Sequence, residues 1–327
     1  MSENVLAKSE IILQCVGDDD KQKFRHRSQK CNGLIILVVR INSQLQTPMY
    51  FFLLNLSFLE ICYTSITIPN ILSGIARGSV VISFAGCMAQ VYFFTLCATT
   101  ECILLASMAL DRYVAICHPL HYTTIINRAV CLYLESLAWL SGLLNSSINT
   151  AVTSGLWFCY SNSLERLYCE VQPLIRLSCS DTRLSDLLAT ISAAVFGVSC
   201  LIFILVSYVF ILVAILRIQC KSNRQKTFST CASHVTVVIL YFGALTFMYL
   251  LPSNSSSQNL DSVVSMIYST GTPMLNPVIY SLRNKQVLAA LIVLRRSLML
   301  DKEHLMCRLK VRPLKSSSDE NAPRKRL

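Results

Sequence analysis

The sequence predicts an all-α membrane protein, a seven-transmembrane helix bundle whose first helix is truncated or incomplete. Three observations carry this. The 327-residue chain is 53% apolar and 14% charged, with a mean hydropathy of +0.52; a soluble domain carries about 25% charged residues. The apolar residues gather in runs close to the roughly 20 residues that a spanning helix needs. The charges lie mainly between those runs. Length alone would suggest two soluble domains, but this distribution overrides that reading. The net charge of +11 fits a cytoplasmic surface facing anionic lipid rather than a nucleic-acid site.

Residues 1–30 form an aberrant N-terminal segment. Asp18-Asp19-Asp20 is followed by KQKFRHRSQK, and nothing there is apolar enough to cross a bilayer. The first twenty residues lack a basic start and a sustained apolar run, so no cleavable signal peptide is expected. The next apolar stretch, 31–39, ends at Arg40 and is about half a span. Six full spans follow, at 49–68, 87–110, 130–157, 187–216, 227–251 and 262–282. A short loop is expected at 76–84, a polar cysteine-bearing segment at 158–186, a basic loop at 217–226 and a Ser/Asn-rich loop at 252–258. The helical domain thus covers 31–294 and closes on a short amphipathic helix at 285–294. A basic, Ser-rich tail at 295–327 is expected to be disordered.

Orientation follows from the short loops. Arg112 and Arg128 flank one gap, and Arg217, Lys221, Arg224 and Lys226 fill another. The gap at 76–84 holds only Arg77, and that at 252–258 holds no Lys or Arg. The basic gaps and the tail therefore face the cytosol. The segment at 158–186 faces outside, where disulfides persist. Cys87, Cys159, Cys169 and Cys179 form an even set there, which allows three connectivities. The fifteen cysteines include no CxxC pair, so no metal site is expected, and most lie in apolar runs as small buried hydrophobes. Asn55 and Asn145 head sequons inside spans, where glycosylation is implausible; Asn254 heads one in an outer loop close to the membrane.

The chemistry concentrates at 108–122, MALDRYVAICHPLHY. An apolar run with the single charge Glu101 ends there on an acid-base pair, Asp111 and Arg112, as at the water-side end of a membrane helix. Asn276-Pro277 lies late in the last span. Proline removes a backbone hydrogen bond and kinks a helix, and Asn276 can satisfy a freed carbonyl.

These stretches resemble the olfactory receptors, which are rhodopsin-like G-protein-coupled receptors. QTPMYFFL at 46–53 is similar to the family's LHTPMYFFL, with Gln46 for His. MALDRYVAICHPLHY has Leu110 for Tyr. Ser207-Tyr208 matches the fifth helix, KTFSTCASH at 226–234 is similar to KAFSTCxSH, and PMLNPVIYSLRN at 273–284 matches the seventh-helix signature. The matches run from about Asn32 to Leu291 in the family's order. The resemblance implies a resting pair of Asp111 and Arg112, with Arg112 released on activation toward the G protein. Tyr113, Tyr208, Asn276, Pro277 and Tyr280 complete that switch. It pairs Cys87 with Cys169 and Cys159 with Cys179. It places acids inside the bundle at Glu60, where Asp is usual, and at Glu101; we expect them to share a proton or a cation. Glu135 has no counterpart.

The resemblance also implies a ligand pocket in the outer halves of the third, fifth, sixth and seventh helices. Counting helical turns back from Arg112 gives Phe94, Thr95, Ala98 and Thr99. The other helices offer Ser192, Phe196, Phe242, Leu245, Tyr249 and Ser269. The set is apolar with a few hydroxyls, as suits a small volatile organic ligand. Tyr241-Phe242 reverses the family's Phe-Tyr-Gly order. The expected partners are an odorant, an olfactory stimulatory G protein that raises cAMP, and membrane lipid. No cofactor, nucleic acid or enzymatic activity is expected, since HExxH, GxSxG and phosphate-loop motifs are missing. The expected location is the plasma membrane. Two other readings stand. One is a non-signalling family member held in the endoplasmic reticulum because of its first helix. The other is a proton or ion transporter using Glu60, Glu101 and Glu135, for which no inverted repeat is visible.

Overall fold

In the computed structural model, the described residues are 21–77, 82–159 and 168–250, with Leu275, Asn276, Ile279, Val287, Ala289 and Ala290 beyond them. The described chain is helical. Helix α1 is Lys21–Ile41, α2 is Pro48–Arg77, α3 is Phe84–Cys117 and α4 is Arg128–Ser154. The segment Arg183–Leu216 runs as one helix, α5, with a π turn at Ala193–Val198, and α6 is Lys221–Leu250. The segments expected at 262–282, 285–294 and 295–327, and residues 1–20, lie wholly or largely outside the described residues.

Local chemistry sets the helix ends. Ser83 caps α3, its Oγ accepting from Gly86 N at 3.1 Å. Asn127 caps α4, its Oδ1 accepting from Val130 N at 3.0 Å. Each satisfies an amide that would otherwise be orphaned. Pro119, two residues past the end of α3, cannot continue the helix and starts a 3-10 turn, Pro119–His121. The turn leads into the one-turn helix Tyr122–Ile125. Helix α2 runs through Ala76 and Arg77, and α6 begins at Lys221. The loops expected at 76–84 and 217–226 are shorter by those residues.

Helix α3 is the hub. It packs on α2, α4, α5 and α6, and its buried Leu104, Leu105, Met108 and Ala109 join the main core. Gly142 lets α4 approach α3: a Cβ there would sit 2.4 Å from Thr100 Oγ1 and 3.0 Å from the Leu96 carbonyl. Thr100 Oγ1 donates to that carbonyl at 2.8 Å. Among the described residues, four helices are long and apolar enough to cross a membrane: α2, α3, α5 and α6.

The expectation of an incomplete first helix divides in two. As a helix, α1 extends upstream of the apolar half: its 21 described residues rise roughly 31 Å. Lys, Gln and Arg are good helix formers, so KQKFRHRSQK carries the helix upstream of the apolar half. As an apolar span it is half made, and it is not among the four. It still docks on α2, with Ser28, Ile35, Val38 and Val39 buried and Gln29 Nε2 donating to Ser65 Oγ at 2.9 Å.

Candidate functional site

At the cytosolic end of α3, both oxygens of buried Asp111 are engaged. Oδ2 accepts from Arg112 Nη2 at 2.8 Å. Oδ1 accepts from the phenol of Tyr122 at 2.7 Å. Tyr122 reaches it because the turn at Pro119–His121 folds the chain back under α3. Burial, with the bond to Asp111 behind it, pushes the Tyr122 phenol well above its usual range, so it stays a neutral donor. Tyr113 Oη lies 3.3 Å from His118 Nε2, and its ring meets Phe210 of α5 at 6.1 Å between centroids. Tyr208 faces His234 of α6, with Oη 2.8 Å from Nδ1 and the rings stacked at 17°. His234 closes the KTFSTCASH stretch; it is not among the expected site residues, and its contact with Tyr208 comes from a helix 26 residues away. Pro277 and Tyr280 lie outside the described residues.

Deeper in the bundle, Asn276 Nδ2 donates to Glu60 Oε1. Glu60 and Glu101 are both buried. Glu60 Oε2, Glu101 Oε1 and Asn276 Oδ1 have no hydrogen-bond partner among the described residues. Three helical segments therefore turn spare acceptor oxygens into the interior. Glu135 is half-buried on α4, which packs against α2.

On the outer side, disulfides join Cys87 to Cys169 and Cys159 to Cys179. Cys31 is also disulfide-bonded. Gln90, one turn into α3 from Cys87, ties this region together. Its Oε1 accepts from Cys169 N at 3.0 Å and from Asn70 Nδ2 at 3.2 Å, and its Nε2 donates to the Ile66 carbonyl at 3.3 Å. Nothing in the sequence distinguishes this glutamine from an ordinary polar residue near a helix end.

The expected pocket residues do not share one environment. Phe94 is buried between Tyr63 of α2 and Tyr168 of the outer segment, each 5.2 Å away between centroids. Thr95, Ala98, Phe196 and Leu245 are half-buried, and Phe242 is buried. Thr99 and Ser192 are both tied to Asn145 of α4, at 2.9 and 2.7 Å. Tyr249 is on α6 with its side chain outside the description, and Ser269 lies outside the described residues. The reversed Tyr241-Phe242 order still delivers a phenol to α3: Tyr241 Oη donates to the Ala98 carbonyl at 2.8 Å and lies 3.4 Å from Cys102 Sγ.

The family described as "Olfactory receptor" matches residues 28–298. The chain belongs to the olfactory receptor family. Among its relatives, olfactory receptor 5F1 of Homo sapiens is 48% identical over 257 residues, 79% of this chain and 82% of the relative. Olfactory receptor 5B21 of Homo sapiens is 46% identical over 261 residues, 80% and 84%. Olfactory receptor 6Z7 of Mus musculus is 47% identical over 260 residues, 80% and 83%. Membership makes this olfactory receptor a multi-pass membrane protein of the seven-helix class and a signalling receptor, not an enzyme.

Proposed function

We propose that this chain binds a small uncharged odorant among the outer halves of α3, α5, α6 and the seventh helix, and activates a stimulatory G protein that raises cAMP. The observation that supports this best is the closed polar set around Asp111. At rest Arg112 and Tyr122 occupy both Asp111 oxygens, and Tyr208 is held by His234 on α6. Ligand binding next to Phe242 shifts α6, which Tyr241 ties to α3 through the Ala98 carbonyl. Tyr208 then leaves His234 and meets Arg112 as Arg112 parts from Asp111. The freed guanidinium and the exposed Leu120 and Ile125 face the G protein. Asn276, Pro277 and Tyr280 form the seventh-helix hinge of the same switch.

Glu60, Glu101 and Asn276 are read as a shared proton or cation position that stabilises the resting bundle; spare acceptors buried in an apolar interior call for a positive partner. The plasma membrane is the site of action, and the basic outer half of α1 limits how much protein reaches it. That feature is what favours the second reading, retention in the endoplasmic reticulum.

The test is a cAMP response to an odorant panel, with surface copies counted in the same cells. A dose-dependent response is expected, lost in Arg112→Ala at unchanged surface level. A wild type that stands at the surface and raises no cAMP with any member would overturn the reading. For the interior acids, the Glu60→Gln, Glu101→Gln double variant is expected to lose the sodium dependence of signalling. Unchanged signalling with unchanged sodium dependence removes their assigned role.

A further inference from the structure

Where the outer segment crosses α3, one buried amide serves three partners. Gln90 Oε1 accepts from Cys169 N at 3.0 Å and from Asn70 Nδ2 at 3.2 Å, and Nε2 donates to the Ile66 carbonyl at 3.3 Å. Both lone pairs of the oxygen are used. Cys169 belongs to the outer segment, and Ile66 and Asn70 belong to α2. The segment is packed closely around this amide. Tyr168, Cys169 and Glu170 are all buried. Cys169 and Leu174 share an apolar cluster with Cys87, Met88 and Val91 of α3. The Tyr168 ring lies against Phe94, and Phe94 against Tyr63 of α2, with 5.2 Å between centroids in each pair.

The partners on α2 stand at a weak point of that helix. Pro69 lies inside α2. It has no N–H, so the carbonyl four residues earlier, that of Ser65, loses its helical donor. Ile66 follows Ser65 and Asn70 follows Pro69, so Gln90 holds α2 on both sides of the interruption. From α1, Gln29 Nε2 donates to Ser65 Oγ at the same level. Sharp bends of helices fall at prolines, and here two glutamines brace the place from two neighbouring helices. The Cys87–Cys169 disulfide acts differently. A single covalent tether fixes one point of the outer segment and leaves its orientation to other bonds.

We propose that Gln90 is a positioning residue that joins the outer segment to the proline joint of α2, and that this tie sets how long a bound odorant is held. While the amide keeps Cys169 N beside Ile66 and Asn70, Tyr168 stays on Phe94 and the outer segment stays seated on α2 and α3. Without the amide, the disulfide still tethers Cys169, but the segment turns about that tether and the odorant leaves faster. Gln90 itself touches no odorant in this scheme. The proposal rests on the odorant reading above and adds a residue that governs release.

The experiment uses the full chain in cells, with surface copies counted, and a panel of aliphatic aldehydes, ketones and esters. A fluorescent reporter follows cAMP through addition and washout of the most potent member. Gln90→Met, close in size, removes all three bonds. It is expected to speed the decay after washout about tenfold, the size of one well-placed hydrogen bond, at an unchanged maximal response per surface copy. Asn70→Ala is expected to speed it less, and the double variant to decay no faster than Gln90→Met, because both act through one tie. Unchanged decay in Gln90→Met overturns the proposal, as do additive effects in the double variant. A second readout needs no odorant. In purified full-length receptor, the Cys169 amide is expected to exchange its hydrogen about tenfold faster in Gln90→Met, and wild-type protection there overturns the tie. A surface-resident wild type that answers no member overturns the odorant reading and the release role with it, and the exchange readout tells that result apart from failure of the tie.

Discussion

The cytosolic end of α3 and the outer half of α1 each bring charge to a helix at the edge of the membrane, and they handle it in opposite ways. At α3, the charge is small in number and neutralised internally. Asp111 takes Arg112 on one oxygen and Tyr122 on the other, and the turn behind Pro119 lies in the right place to supply that phenol. At α1, Lys21, Lys23, Arg25, Arg27 and Lys30 fall within ten residues of one helix. Each charge at bilayer depth costs about 2.5–3.5 kcal/mol on insertion scales. The difference separates two properties: at α3 the acid is paired on both oxygens, whereas α1 carries its basic run in a helix that is not among those long and apolar enough to cross a membrane. On the reading proposed above, the first serves switching and the second limits insertion.

That separation can be broken or sharpened by substitution. The largest effect is expected at Arg112: Arg112→Ala should reduce the odorant-evoked cAMP rise to baseline without altering surface level. A retained response would show that the α3 end does not carry the switch. Next is Gly142→Val. A Cβ there would meet Thr100 Oγ1 at 2.4 Å and the Leu96 backbone at 3.0 Å, so α4 must move off α3. A loss of about 1–3 kcal/mol is expected, read as a lower melting temperature in detergent and a lower surface level. Unchanged stability would mean that the α3–α4 contact is looser than described. The smallest effect is expected for Tyr122→Phe, which frees one Asp111 oxygen in a buried setting. It should raise basal cAMP while leaving the odorant-evoked rise in place, since one of the two hydrogen bonds described at Asp111 is removed and the Arg112 pair remains. A fall in basal cAMP would assign Tyr122 to the active rather than the resting arrangement.

Much of the fold is readable from hydropathy, because spans are long and their ends carry charge. The ends of α3 and α5 fall within a turn or two of where the charges at Asp111 and Arg217 put them. Asp111, Arg112 and Tyr113 are readable for a different reason: acid, base and aromatic stand on consecutive positions of one helix end. What cannot be read is what depends on phase and on distant partners. KQKFRHRSQK reads as outside the helix because it is charged, yet helical propensity favours it, and propensity and hydropathy are independent properties. Thr99 and Ser192 look like free pocket hydroxyls in the sequence; their partner, Asn145, is 46 residues from one and 47 from the other. The reversed Tyr241-Phe242 pair suggests a lost interhelical bond. A one-residue shift rotates a side chain by about 100°, but Tyr241 is long enough to reach the Ala98 carbonyl from its new position.

The account's central claim is that α1 governs delivery and the α3 region governs signalling. The most direct measurement is cAMP per surface receptor, for the wild type and for a variant with Lys21, Lys23, Arg25, Arg27 and Lys30 all changed to Leu. The account predicts several-fold more receptor at the surface and an unchanged response per surface copy. An unchanged surface count, or a changed response per copy, would contradict it.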